Sequence, residues 1–326
     1  MIISKNSVSD FSKDDVQLEK ERKIDEYKKR LALVDKQKNK VEYYYYLYKI
    51  TELVDPDNIE NLTQKIRSEL SDYSGETGVN YEFFTEASIC QTLPYLIEKY
   101  TSRSVFSEDN VSILECSAGI GNIAYHLKSD NNHVTCVEIH EYNHYISKIL
   151  FPHIDVFVHG DYFRFCLNAI EKNVKYDFIV SNPPYFNISK SDINKIENIF
   201  RKYISNNDSY PQGFSDVKNY ISHVFKIASL DTLKAEKGIG LNSFYRIEYL
   251  FIFFALLNLK DNGVLCFVLP HARYNFLHSI FFSFGFYNTF DFLLSLPVKM
   301  HLHTIGSMYG SEVTTAFDVL IIQKSE

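Results

Sequence analysis

From residue 111 onward the sequence repeats one unit: a short apolar run, a polar turn, then a segment with helical spacing. The runs are VSILEC (111–116), HVTCVEI (133–139), IDVFVHGD (154–161), YDFIVSNPPY (176–185) and GVLCFVLP (263–270). Runs this short and this apolar read as buried strands. Strands that alternate with helices build a mostly parallel sheet covered on both faces, because each parallel connection must cross over and return. Two last runs, FDFLLSLP (290–297) and VTTAFDVLIIQK (313–324), are joined by a loop and read as a closing antiparallel hairpin. The pattern predicts an α/β, Rossmann-like fold with its ligand site beyond the carboxyl ends of the strands.

The chain has 326 residues, enough for one large domain with an appendage. A hydrophobic content of 45% with only 8 prolines and 12 glycines predicts a globular protein. The formal net charge of −7 gives no overall pull toward nucleic acid, so any such surface is local. Cys90, Cys116, Cys136, Cys166 and Cys266 never form a CxxC pair, which argues against a zinc site or a disulfide framework. Their scatter predicts a reducing, cytoplasmic location, or a host-cell compartment for a viral protein. The start, MIISKNSVSDFSKDD, has no apolar core of a signal peptide. YLFIFFALLNL (249–259) is too short to span a bilayer and reads as a buried helix, so no membrane partner is expected.

The first 70 or so residues have a different texture. Ile24, Tyr27, Leu31, Val34, Val41, Tyr45 and Tyr48 form a heptad-like stripe, interrupted by Lys38. Between Lys20 and Lys40, Lys and Arg outnumber Asp and Glu. One long helix packed on the main domain is the first reading; self-association through that helix and a nucleic-acid arm stay open. A further helix is expected over Ile59–Leu70, and the polar SDYSGETG (71–78) marks a boundary. The expected organisation is an N-terminal helical region (1–72), then a domain over 73–326 with a helical insert at about 187–242.

Three strand ends carry candidate ligand-binding residues. LECSAGIGN places Gly119 and Gly121 at a strand-to-helix turn, where glycine permits close approach of the backbone. The next strand ends in Glu138, placed to accept from a ribose hydroxyl pair. The third ends in Asp161, followed by Tyr162 and Phe163: an acceptor for an exocyclic amine beside rings that can stack. The turn lacks a full GxGxxG, which favours a nucleoside without phosphates over a dinucleotide. A solvated strand-end acid (Glu138) and a helix N-cap (Asp161) are the competing readings.

ECSAGIGN, VEI, GDYF and NPPY, in this order, resemble a class I S-adenosylmethionine-dependent methyltransferase, and specifically the adenine-N6 DNA methyltransferases. NYEFFTEASICQTL (80–93) is similar to the FFTP segment of the gamma-ordered subgroup, which includes the modification subunits of type I restriction systems. GVLCFVLPHARYNFL and MYGSEVTTAFDVLII resemble that subgroup's fifth-strand segment and closing hairpin. The likeness runs from about residue 75 to the end. It implies S-adenosylmethionine and no metal. Thr85 and the turn containing Glu115, Ser117, Ala118, Gly119 and Gly121 would hold the methionine moiety. Glu138 would take the ribose, Ile139 the adenine face and Asp161 its amine, with Tyr162 nearby. Glu86 departs from the family's proline and adds a negative charge there.

The same resemblance gives Asn182, Pro183, Pro184 and Tyr185 a role. An aromatic amine is a poor nucleophile because its lone pair is delocalised. Two acceptors on its hydrogens, the Asn182 side-chain oxygen and the Pro183 carbonyl, favour a tetrahedral nitrogen and stabilise its developing charge. Pro184 stiffens the turn, and Tyr185 offers a ring for the flipped base. Tyr309 would cover the other face, with a plain surface tyrosine as the alternative. The expected partner is DNA, with a specificity subunit or self-association supplying recognition. The alternatives are an RNA adenine, a protein glutamine amide, and a catalytically silent subunit that only binds nucleic acid.

Overall fold

The computed structural model of the protein describes residues 13–71, 73, 75–76, 83–185, 247–270, 298–307 and 316–324. The chain divides into two compact units, Met1–Ser71 and Asp72–Glu326.

In the first unit the apolar stripe does not run along one helix. It is split between α1 (Lys13–Leu33) and α2 (Lys40–Val54). The break is chemical. The Asp35 carboxylate accepts from the Gln37 N–H at 2.9 Å, and the Asn39 side chain caps α2 by accepting from the Glu42 N–H at 3.3 Å. Glu42 answers by accepting from Asn39 Nδ2 at 2.7 Å, a reciprocal cap that outcompetes continuation of α1. Lys38, which interrupts the stripe, sits in this turn. α1 and α2 then pack on each other, Tyr27 and Arg30 meeting Tyr46. α3 (Ile59–Leu70) buries Leu62, Ile66 and Leu70, one face at four-residue spacing.

The second unit is built on one sheet. Its strands are β3 (Val111–Glu115), β4 (Asn132–Glu138), β5 (Val156–His159), β6 (Tyr176–Ser181), β7 (Leu259–Pro270), β8 (Val298–Ser307) and β9 (Ala316–Lys324). The order across the sheet is β5-β4-β3-β6-β7-β9-β8. Every pair from β5 to β7 is parallel, whereas β9 runs antiparallel between β7 and β8. The crossover helices include α5 (Asn122–Leu127), α6 (Glu141–Leu150), α7 (Tyr162–Glu171) and α8 (Ile247–Leu257). α4 (Ala87–Tyr100) precedes β3, and a two-residue pair, β1 (Gly75–Glu76) with β2 (Phe83–Phe84), precedes α4. Val264 to Leu269 of β7 are all fully buried, as a central strand covered on both faces requires.

The closing hairpin differs from expectation in its first arm. The stretch read as a loop, KMHLHTIGS, is β8, and residues 290–297 lie outside the described residues. Val298, Met300, Leu302 and Thr304 alternate with Lys299, His301 and His303, a period-two pattern that the basic residues obscured. In register, Met300 faces Ile322 and Leu302 faces Leu320.

The amino ends of the central strands are pinned by Asp177. It accepts from the Ser112 N–H at 2.8 Å, the Ser112 hydroxyl at 2.7 Å and Lys260 Nζ at 2.7 Å. That network ties β3, β6 and β7 at the end remote from the glycine turn. The order of strands reverses direction around β3, so the opening for a ligand lies at the opposite, carboxyl end, between β3 and β6.

Candidate functional site

β3 ends on Glu115 and passes through Cys116–Gly121 into α5. The turn needs both glycines, for two reasons that act together. Gly119 has φ +55° and Gly121 φ +91°, left-handed backbone that side chains disfavour. A Cβ on Gly119 would stand 2.9 Å from the Phe84 ring, and one on Gly121 would stand 3.1 Å from the Phe151 ring. Backbone conformation and aromatic packing therefore both bear on the motif.

The turn is fastened by three neighbours. Glu138, at the end of β4 and buried, accepts from the Gly119 N–H at 2.7 Å and from the His140 N–H at 2.8 Å. Asn122, the first residue of α5, donates its two amide hydrogens to Tyr73 O at 3.1 Å and Thr85 O at 3.0 Å, which draws the Phe84–Thr85 segment over the turn. Ser117 donates to Asn182 O at 3.1 Å and shares a 2.7 Å hydroxyl contact with Ser181, joining the ends of β3 and β6.

These contacts bound an open cleft lined by Phe84, Thr85, Glu115, Gly119, Asn122 and Asn182, among others. Glu115 is fully buried and accepts from the Ala124 N–H at 2.9 Å. Burial pushes its carboxyl well above the usual range, and the neighbouring Glu138 pushes the same way against the Ala124 N–H. Asn122 Oδ1 is buried and has no hydrogen-bond partner among the described residues. Asn122 was not anticipated from the sequence. Its signal was there: an amide at the first helical position after GIG, where a small or apolar residue would do for packing.

Asn182 stands just past β6 and is 9% exposed. Its Nδ2 donates to Thr85 Oγ1 at 3.0 Å. Its Oδ1 accepts from the Tyr185 hydroxyl, which also donates to Val268 O at 2.6 Å, so one proton serves two acceptors. Pro183 is buried, and Pro184 and Tyr185 are half-buried. The structure thus brings Thr85, Glu115, Ser117, Ala118, Gly119 and Asn182 together around one cleft, with Gly121 in the turn but not in the cleft lining and Glu138 bonded to the Gly119 N–H.

The remaining expected residues are placed differently. Ile139 follows Glu138 and is 56% exposed, an apolar surface at a strand end. Asp161 is the N-cap of α7, its Oδ1 accepting from the Arg164 N–H at 3.0 Å. Tyr162 is a core residue: it is buried and its ring stacks on Phe251 at 4.7 Å. Burial holds its phenol well above the ordinary range, with the Cys116 and Cys166 thiols beside it. The apolar neighbour α8 explains this, since Phe251 and Phe254 pack on Phe163 as well. Tyr309 and the insert at 187–242 lie outside the described residues. Among the described residues no group of three or more His, Cys, Asp or Glu is arranged to hold a metal, and no helix is long and apolar enough to cross a membrane.

No protein-family model matches the chain, and no curated protein matches it. Solved structures do. A Listeria monocytogenes protein assigned to the class I S-adenosylmethionine-dependent methyltransferases superposes with a TM-score of 0.51 over 94% of this chain and 88% of that one, at 15% identity. The chain has the class I methyltransferase fold. At this identity the likeness concerns the fold and nothing finer. The methyltransferase subunit of a type I restriction-modification system from Streptococcus thermophilus is similar over 83% of this chain at 16% identity, with a TM-score of 0.45. This chain spans 49% of that subunit's length, and so loose a superposition carries no functional weight. Within the methyltransferase fold, the cleft described above occupies the carboxyl-end opening beside β3.

Proposed function

We propose that the chain is an S-adenosylmethionine-dependent methyltransferase that modifies the N6 amine of adenine in DNA. The observation that carries the reading is the Asn182 amide. It lines the glycine-turn cleft with Nδ2 donating to Thr85, and its oxygen, which accepts from the Tyr185 hydroxyl, is the end that would turn to a substrate amine.

The cleft fits the cofactor by its donor set. Asn122 Oδ1, a buried acceptor with no hydrogen-bond partner among the described residues, and the Glu115 carboxyl suit an ammonium group. Glu138 and the exposed Ile139 side chain suit a ribose and the flat face of a purine. Asp161 keeps its helix-capping bond and would add an acceptor for the purine amine. When bound, S-adenosylmethionine supplies a methyl group activated by a sulfonium, so no strong base is required of the protein.

The residues then have defined tasks. Asn182 Oδ1 and the Pro183 carbonyl accept the two hydrogens of the target amine and favour the tetrahedral nitrogen that can attack. The Tyr185 hydroxyl keeps Val268 O as its acceptor when the amine takes its place on Asn182 Oδ1. The Tyr185 ring supports the base, which must leave the duplex to arrive here. Tyr309 is proposed for the opposite face. The organisation that goes with this reading is a catalytic domain from about residue 73, with target recognition supplied by the insert at 187–242, the helical region at 1–72 or a specificity subunit.

The test is a panel of acceptors. Purified protein is incubated with methyl-labelled S-adenosylmethionine and DNA, RNA or a translation release factor, and the labelled product is digested and identified. N6-methyladenine from DNA is the expected product. Label in RNA adenine or in a glutamine amide would move the substrate class, and no label in any acceptor would leave a subunit that only binds.

A further inference from the structure

Thr85 and Asn182 are 97 positions apart and joined by one hydrogen bond of 3.0 Å. We infer that Thr85 is a positioning residue, which fixes the orientation of the Asn182 amide and ties it to cofactor occupancy. The inference rests on the proposed function and adds a second task for Thr85 beyond holding the methionine moiety.

A side-chain amide has a donor end and an acceptor end of nearly the same shape. Only the orientation with Oδ1 toward the substrate can accept an amine hydrogen; the flipped one presents hydrogens to hydrogens. Something must choose between them. Neither hydroxyl on the amide, Tyr185 at Oδ1 or Thr85 at Nδ2, does so by itself, because each can donate or accept. Thr85 Oγ1 accepts from Asn182 Nδ2 and has no other hydrogen bond among the described residues. Its own proton can therefore turn into the cleft that Thr85 lines. An anionic group there, such as the carboxylate of an amino-acid moiety, takes that proton. Thr85 Oγ1 is then an acceptor only, and the flipped amide loses its partner.

The rest of Thr85 is built to stay still. It is 4% exposed, and its carbonyl accepts from Asn122 Nδ2 at 3.0 Å and from Cys90 Sγ at 3.7 Å. Asn122 heads the helix that follows the glycine turn, so the hydroxyl is held in a fixed place relative to the cofactor cleft. Linked hydrogen bonds of this kind polarise one another, which strengthens the orientation once the chain is complete.

Thr85→Val keeps the shape and removes the hydroxyl; Thr85→Ser keeps the hydroxyl. Two measurements are made on both variants, with folding checked by thermal melting. The first follows the side-chain amide resonances of Asn182 in protein carrying isotope-labelled asparagine, assigned by their loss in Asn182→Ala. In the native protein and in Thr85→Ser they should shift on addition of S-adenosylhomocysteine, which has the carboxylate, and much less with methylthioadenosine, which lacks it. In Thr85→Val neither ligand should produce the shift. The second is turnover at saturating cofactor, expected to fall about tenfold or more in Thr85→Val, the equivalent of about 1.4 kcal/mol, and to be largely kept in Thr85→Ser. An unchanged Asn182 response in Thr85→Val, or native turnover once cofactor is saturating, overturns the inference. If the native protein transfers no methyl group to any acceptor, the proposed function fails instead, and the resonance shifts still decide whether Thr85 couples the cleft to Asn182.

Discussion

The main-chain N–H of Gly119 donates to Glu138 Oε2 at 2.7 Å, joining the glycine turn after β3 to the end of β4. The carboxylate also accepts from the His140 N–H at 2.8 Å and Asn143 Nδ2 at 3.4 Å. Glu138, expected to take a ribose hydroxyl pair, therefore also shapes the glycine turn. Glu138→Ala strands these donors, at a cost of about 1.5–3 kcal/mol for a lost charged hydrogen bond. Chemical denaturation should show that loss, and calorimetry should show weaker S-adenosylmethionine binding. A destabilised variant with native cofactor affinity would make Glu138 a structural lock alone.

Tyr185 separates a ring from a hydroxyl. The hydroxyl holds Asn182 Oδ1 and Val268 O, while the residue as a whole is half-buried. Tyr185→Phe should keep substantial turnover, since Asn182 retains its bond to Thr85. Tyr185→Ala should lose much more, because stacking of a base on an aromatic ring is worth about 1–3 kcal/mol. Equal damage from both would assign the work to the hydroxyl.

His144 gives the fold an acid-side sensitivity. Burial lowers its pKa from 6.5 to about 4, with Lys148 and His159 pushing the same way. Its ring stacks on His159 at 5.3 Å. Below pH 6.5 the unfolded chain takes up a proton that the folded chain refuses until about pH 4, so stability is lost as pH falls through that window. His144→Phe should flatten this part of a plot of melting temperature against pH. An unchanged slope between those limits would place the sensitivity in other groups.

The helical first unit was expected to contribute a basic surface. α1 carries seven Lys and Arg against six Asp and Glu. Lys23, Lys29 and Arg30 pair with Glu19, Asp25 and Glu26 within the helix. So balanced a helix gives little attraction to phosphate. Removing Met1–Ser71 should leave cofactor binding intact and change the salt slope of DNA binding by less than about one unit, the equivalent of roughly one phosphate contact. A larger fall would restore the N-terminal arm as a DNA contact.

The sequence was most legible where chemistry and periodicity coincided. Continuous apolar runs located β3, β6 and β7, because strands buried on both faces tolerate little else. Strand-end residues such as Glu115 and Asn182 then fell at the carboxyl opening by topology alone. The helical stripe from Ile24 to Tyr48 misled because local capping by Asp35 and Asn39 outweighed a pattern that both one helix and two can satisfy. β8 was missed because Lys299, His301 and His303 interrupt the apolar residues along the sequence. Tyr162 was placed near a ligand by its position after Asp161, yet its ring direction depends on Phe251, some ninety residues away and unreadable from local pattern. The bond from Asn182 to Thr85 likewise joins distant segments, and only the folded chain reveals it.

In the proposed mechanism Asn182 acts on the substrate amine and leaves the cofactor alone. The direct measurement is methyl transfer to DNA by Asn182→Ala, taken alongside its calorimetric affinity for S-adenosylmethionine. Transfer should fall by about a hundredfold or more, in line with removal of one preorganised group that stabilises developing charge, while the affinity stays near native. Near-native turnover in Asn182→Ala would remove Asn182 from the mechanism.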